Sequence, residues 1–450
     1  MGRLFGTDGV RGMANVNPMT AEMALAIGRA TAHVCKQHEN RHRIVIGKDT
    51  RLSCYMIENA LTAGICSMGV DVFLLGPMPT PGAAYLTQSM RADAGIVISA
   101  SHNPYQDNGI KIFMRDGCKL SYKLEDEIEE IISSGRINDI RPTADEVGRA
   151  KRIDDATGRY IVFCKHSFPA GLTLDGLKMV IDCSNGATYK IAPIIFQELG
   201  ADVTAIHSSP NGTNINRDCG SQHTEDLSAA VRECGADVGL AFDGDGDRLI
   251  AVDENGAELD GDHIMAICAR AMRETGTLNN NKVIITPMSN FGLRLAFDRL
   301  GITYEEADVG DRNVLELMQR RGASLGGEQS GHIIFLDHHT TGDGIISALQ
   351  LLAVMRRSGE PLSELGRVFE RAPQRLINID VPSKPALESV EEIVKAEKAV
   401  QAELGKRGRT LIRYSGTQPM CRVMVEADNE ADVERLSKML AEVVEKALCC

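Results

Sequence analysis

Four short loops carry residues whose types and spacing could do chemistry. The most distinctive is Ala241-Phe-Asp-Gly-Asp-Gly-Asp-Arg248, where three carboxylates alternate with glycine directly after an apolar run. Such charges repel one another unless a cation neutralises them. Oxygen-only ligands, with no Cys or His among them, suit a hard ion such as Mg²⁺ or Ca²⁺. The glycines let the backbone fold tightly enough for the carboxylates to converge. Asp243, Asp245, Asp247 and Glu254 also fall at positions one, three, five and twelve of an EF-hand loop. Position six is Arg248, where that loop needs glycine, and the flanking residues 239–242 and 249–252 read as strands, not helices. A solvated acidic turn is the other alternative to a metal site.

The second loop is Ile98-Ser-Ala-Ser-His-Asn-Pro104. A serine at a strand end can carry a covalent intermediate. The same residues also make an ordinary Ser/Asn turn, so both readings stand. His102 follows Ser101 directly, and in extended backbone their side chains would diverge, which argues against a Ser–His couple. The third loop, Gly326-Gly-Glu-Gln-Ser-Gly-His332, packs hydrogen-bonding side chains into a glycine-rich turn suited to sugar hydroxyls or an amine, or to an ordinary turn. The fourth, Arg413-Tyr-Ser-Gly-Thr-Gln-Pro419 with Arg422 following, offers guanidinium, hydroxyls and exposed amides to a phosphate. There is no GxxxxGK[ST] segment, which disfavours a Walker-type kinase.

Something must position these loops. Short β-rich runs recur at residues 43–49, 94–99, 178–183, 237–242 and 282–286, with helical patterns nearby. Apolar strands alternating with helices predict parallel sheets covered on both faces, with ligands at the carboxyl ends of the strands. Residues 137–155 read as a linker, residues 253–262 as a second boundary and residues 366–373 as a third. The remainder reads strand, helix, two strands, helix, an α+β unit. The expected fold is α/β: three similar doubly wound α/β domains (1–150, 151–255 and 256–367) plus a smaller α+β domain (368–450), around a central cleft.

The bulk properties narrow the class. The chain has 450 residues, 43% apolar and 25% charged, an ordinary globular balance. With 62 acidic against 49 basic residues the net charge is −13, which argues against nonspecific nucleic-acid binding. The 12 cysteines are scattered without metal spacing and are expected to be reduced thiols. The opening segment lacks a signal-peptide pattern, and no apolar run approaches the ~20 residues of a membrane span. A cytoplasmic protein with no membrane partner is expected.

Together with Phe5-Gly-Thr-Asp-Gly-Val-Arg-Gly12, Gly76-Pro-Met-Pro-Thr-Pro81, Asp107-Asn-Gly-Ile-Lys111 and Val309-Gly-Asp-Arg312, the four loops resemble the α-D-phosphohexomutase family, most closely its amino-sugar branch. The likeness runs across essentially the whole chain. It implies a reversible conversion of glucosamine 6-phosphate to glucosamine 1-phosphate, feeding amino-sugar nucleotide and cell-wall precursor synthesis. It implies that Ser101 is a phosphoserine and that Asp243, Asp245 and Asp247 share one Mg²⁺ with it. A sugar bisphosphate would be the intermediate and activator. Glu328, Ser330 and His332 would contact the sugar, and Arg413, Ser415, Gly416 and Thr417, with Arg422, its non-reacting phosphate. Arg11 and Arg248 would stabilise charge. Lys111 would be either a general acid/base, its pKa lowered by neighbouring cations, or a phosphate contact. His332 is a second proton-transfer candidate. A homodimer is implied. Two residues depart from the family pattern: Gln418 where Glu is usual and Asn313 where an aromatic residue is usual. The competing readings are a phosphomannose or phosphoglucose mutase of the same family, a Mg²⁺-dependent sugar phosphatase, and a Ca²⁺-binding module.

Overall fold

Unbroken apolar segments such as Ala94–Ile98 and Val238–Phe242 can only be satisfied at the centre of a layered structure, and both are buried along their whole length. The computed structural model describes residues 3–6, 8–36, 41–415 and 419–449. Four sheets follow one another along the chain. The first has the order Val10–Met13, Asp107–Met114, Ala94–Ile98, Arg43–Lys48, Asp71–Pro77, Ala150–Arg152. The second runs Glu258–Leu259, Leu249–Asp253, Val238–Phe242, Lys178–Asp182, Asp202–Ile206. The third runs Thr303–Glu306, Lys282–Ile285, Leu325–Gly327, Ile333–Phe335. The fourth, Gln374–Asp380, Met420–Ala427, Gly408–Tyr414, is antiparallel throughout.

The expectation of parallel sheets holds at the centre of the first three and fails at one edge of each. Ala94–Ile98 is parallel to Arg43–Lys48 but antiparallel to Asp107–Met114. Val238–Phe242 is parallel to Lys178–Asp182 but antiparallel to Leu249–Asp253. Leu325–Gly327 is parallel to Lys282–Ile285 but antiparallel to Ile333–Phe335. The reason is connection length: a parallel return needs a crossover of a dozen or more residues, whereas these turns are much shorter. All four candidate loops are therefore hairpin connections, since Gly408–Tyr414 and Met420–Ala427 are also antiparallel neighbours. The segment read as a linker also contributes Ala150–Arg152, an exposed edge strand beside Asp71–Pro77.

One continuous apolar core extends from Val45 to Phe369 and so runs through the first three sheets. A separate core, from Ile379 to Leu448, lies under the fourth. Helix Gly344–Ser358, apolar on nearly every face, threads the shared core. Asp343 caps it by accepting from the amides of Ile345 and Ile346. No helix among the described residues is long and apolar enough to cross a membrane.

Candidate active site

The acidic hairpin turn meets the serine turn. Ser101 Oγ donates to Asp243 Oδ2 at 2.6 Å. Thr80 Oγ1 and Lys111 Nζ donate to Asp245 Oδ2 at 2.6 and 2.8 Å, and Lys111 lies 3.4 Å from Asp247. One oxygen from each of Asp243, Asp245 and Asp247 falls within 4.8 Å of the others. Gly244 permits this approach, because a Cβ there would stand 2.6 Å from the Ser101 carbonyl oxygen. Gly246 turns the chain with φ 71°.

These residues fit a divalent cation. Asp245 Oδ1 and Asp247 Oδ1 are buried without a hydrogen-bond partner, an arrangement that costs free energy unless something positive occupies it. Burial, reinforced by the charges of Asp247 and Asp245, pushes the Asp243 carboxyl well above its ordinary range. An all-carboxylate donor set of this kind suits a hard ion. The EF-hand reading fails: Glu254 bonds the amide and hydroxyl of Ser363 instead of facing the aspartates.

Ser101 itself is buried and sits in left-handed backbone, φ 52°, a conformation that L-residues adopt only when the surroundings impose it. Those surroundings are explicit. Ser101 N donates to Ser99 Oγ, which donates to Asp49. Its carbonyl accepts from Arg51 at 3.1 Å and from Asn216 at 2.8 Å, so both the first and second sheets hold it. The left-handed turn also corrects the expected divergence from His102: Ser101 Oγ and His102 Nδ1 approach to 3.4 Å, because the backbone is not extended. Burial, with Arg248 and Arg11 nearby, lowers the His102 pKa to about 4, so the ring is neutral.

Lys111 departs from expectation in sign. Burial opposes its charge, but Asp245, Asp8 and Asp247 outweigh that cost and raise its pKa well above the usual value. A neighbouring cation, Arg11, does depress it, but the three carboxylates outweigh that effect. Asp8 also pairs with Arg11 and with Lys119, and Lys119 in turn reaches Asp311. A chain of alternating charges thus ties the serine-bearing sheet to the third sheet.

A cavity of about 510 Å³ opens over this network, lined among others by Arg11, Asp247, Arg248, Asp311, Glu328 and His332. Glu328 accepts from the amide of Gly310 at 3.1 Å. Both ring nitrogens of His332 and the hydroxyl of Ser330 are buried without hydrogen-bond partners, as a recognition surface requires. In the fourth sheet Arg413 and Arg422 stand directly opposite each other across paired strands. Burial and the charge of Arg422 both lower the Arg413 pKa. Two cations in register oppose folding, and an anion between them would relieve that repulsion. Lys384 Nζ adds a third positive group, bonding the carbonyl of Ser415 at 2.6 Å. Gly416, Thr417 and Gln418 lie outside the described residues, as does Cys450.

Sequence reasoning missed Asp8, Thr80, Lys119, Asn216 and Lys384. Asp8 and Thr80 stood inside motifs already singled out. The other three are lone polar residues whose roles come only from contacts remote in sequence.

Domain descriptions of phosphoglucomutase/phosphomannomutase match in order: α/β/α domain I at residues 2–138, domain II at 159–256, domain III at 260–372 and the C-terminal domain at 376–443. The chain belongs to this family, the α-D-phosphohexomutases, and is an enzyme of the mutase class. It is 59% identical to the phosphoglucosamine mutase of Syntrophotalea carbinolica over 99% of this chain and 98% of that one. It is 58% identical to the phosphoglucosamine mutase of Syntrophus aciditrophicus over 100% of both. A solved phosphoglucomutase/phosphomannomutase family protein from Burkholderia thailandensis shares the fold, with a TM-score of 0.82 at 23% identity over 99% of this chain and 97% of that one.

Proposed function

We propose that this protein interconverts glucosamine 6-phosphate and glucosamine 1-phosphate through a phosphoryl group carried on Ser101. The observation that carries the reading is the Ser101 hydroxyl held 2.6 Å from Asp243, in a buried three-carboxylate cluster whose Asp247 lines a polar cavity. Asp243, Asp245 and Asp247, with an oxygen of the phosphorylated serine, would hold Mg²⁺, which when bound supplies Lewis-acid stabilisation of phosphoryl charge. Ser101 gives its phosphoryl group to the free hydroxyl of the sugar phosphate. The resulting bisphosphate reorients, and its other phosphate returns to Ser101. Phosphoryl transfer depends chiefly on positioning and charge stabilisation. Arg11 and Arg248, on the cleft wall, supply the latter. Lys111, hydrogen-bonded to Asp245, serves as a phosphate contact or as the general acid/base.

Glu328, Ser330 and His332 contact the sugar; the Glu328 carboxylate favours an ammonium substituent, which supports the amino-sugar reading. Arg413, Arg422, Ser415, Gly416 and Thr417 form the seat for the non-reacting phosphate. One seat accepting either end of the sugar lets the bisphosphate turn without leaving. The relatives named phosphoglucosamine mutase support this substrate choice. We further propose a cytoplasmic homodimer whose units are residues 1–150, 151–255, 256–367 and 368–450.

The test is a set of parallel initial rates on glucosamine, mannose and glucose 6-phosphates, with Mg²⁺ and a sugar bisphosphate, while free phosphate is followed. Preference for the amino sugar without phosphate release is expected. Preference for mannose or glucose would move the substrate within the family, and stoichiometric phosphate release would make the protein a phosphatase.

A further inference from the structure

The second sheet carries another cluster that the mutase chemistry does not use. Asp182 ends strand Lys178–Asp182, His207 follows strand Asp202–Ile206, and Cys219 lies in the connection beyond. A carboxylate oxygen, an imidazole nitrogen and the thiol sulfur of these three lie within 4.8 Å of one another. Asp182 and Cys219 are buried, while His207 is partly open to solvent and offers an entry path. Tetrahedral zinc bound by sulfur, nitrogen and oxygen has ligand-to-ligand edges of about 3.3–3.7 Å, so atoms within 4.8 Å of one another would close by up to about 1 Å to form such a site.

The surrounding contacts are those that ligands need. His207 Nδ1 points at Asp182 Oδ2, 3.0 Å away, and Nε2 faces Asp226 Oδ2 at 3.3 Å. A metal-binding imidazole commonly donates its other N–H to a carboxylate, which fixes the tautomer and the ring. Asp226 stands in that place. Asp182 is oriented in turn by the amides of Ser184 and Gly220, both at 2.8 Å. Five non-glycine residues here adopt left-handed backbone: Ser184, Asn185, His207, Asn216 and Asp218.

We propose that Asp182, His207 and Cys219 form a second metal site, for a zinc-class divalent ion, with Asp226 as the outer carboxylate. A thiolate and an imidazole select a softer ion than the three aspartates do, so the two sites discriminate by ligand chemistry. The site fastens the 207–224 segment, from which Asn216 holds the carbonyls of Ser101 and Asn103. The occupant thereby acts on the serine turn through the protein, without touching the sugar.

The experiment uses the full chain stripped by chelator, with Co²⁺ as the spectroscopic probe for zinc. Wild type is expected to take up one equivalent showing a thiolate-to-cobalt charge-transfer band, and Asp245→Asn to do the same. Cys219→Ala and His207→Gln should lose the band while keeping a wild-type circular dichroism spectrum. Asp226→Asn should retain the band and weaken Zn²⁺ binding by about 10–100-fold. If wild type gives no thiolate band, the trio is only a protonated histidine bridging two carboxylates and the site is overturned. A band that survives Cys219→Ala, or an Asp226→Asn variant that binds Zn²⁺ as tightly as wild type, overturns the assignment equally.

Discussion

Two regions of the molecule, around Ser101 and around Arg413, each join antiparallel neighbouring strands, and they treat charge in opposite ways. At the Ser101 end buried carboxylates converge, and the cation among them is matched by opposite charges. Lys111 lies among Asp8, Asp245 and Asp247, and the arrangement is locked into a core shared by three sheets. At the Arg413 end two guanidinium groups oppose each other on a small sheet with its own core. The first end is organised before substrate arrives, as electrostatic catalysis demands. The second keeps a repulsion between Arg413 and Arg422 that, on the proposed function, an arriving phosphate would discharge. Binding and chemistry are thereby separable.

That separation can be broken or sharpened by substitution. The largest effect is expected for Ser101→Ala: turnover should fall on the order of 10⁴-fold or more, with the fold intact. Wild-type-like turnover in steady-state assays would end the covalent reading. Asp245→Asn removes the negative charge that faces Lys111 and one oxygen of the metal cluster, and should lower kcat by about 10²–10³-fold, with a raised Mg²⁺ requirement. An unchanged Mg²⁺ titration would remove Asp245 from the metal site.

Asp343 tests the rigid body without touching the chemistry. Burial raises its pKa to about 6, while it caps helix Gly344–Ser358 and accepts from Tyr160. A carboxyl whose folded pKa exceeds its unfolded value near 4 stabilises the protonated state. Stability should therefore fall as pH rises from about 4 to about 6, by up to about 3 kcal/mol. Denaturant melts of Asp343→Asn, which keeps the cap oxygen, should be flat over that window; the same slope in the variant would place its origin elsewhere.

Arg413→Ala should raise KM by about 10-fold while kcat changes much less, because it removes a charge-assisted contact from the binding end. An equal loss in kcat would mean that the two ends are coupled after all. The smallest effect is expected for Lys384→Met, a rise in KM of about 5-fold.

How much of this was legible beforehand follows a physical divide. The acidic turn announced itself because alternating Asp and Gly is hard to explain without a cation. Strand positions were readable because runs such as Val283, Ile284 and Ile285 are apolar on both faces. Strand direction was not, because periodicity says nothing of whether a chain continues into a helix or doubles back. Only the brevity of the turns reveals the hairpins. The state of Lys111 was misjudged for a related reason: its partners Asp245 and Asp247 lie far along the chain, and no local pattern reports their sign. Lys119 was invisible, since nothing near it in sequence hints that it bridges Asp8 and Asp311.

The ties that close the serine turn also bear on how the molecule assembles. Ser101 meets Asp243 across 142 positions of the chain, Lys111 meets Asp245 across 134 and Thr80 meets Asp245 across 165. Contacts of such separation form late, after the units that contribute them have collapsed on their own. During synthesis the first sheet must wait, its lysine facing Asp8 without Asp245 and Asp247, until the second has emerged. In refolding from denaturant, secondary structure should therefore return well before catalytic competence.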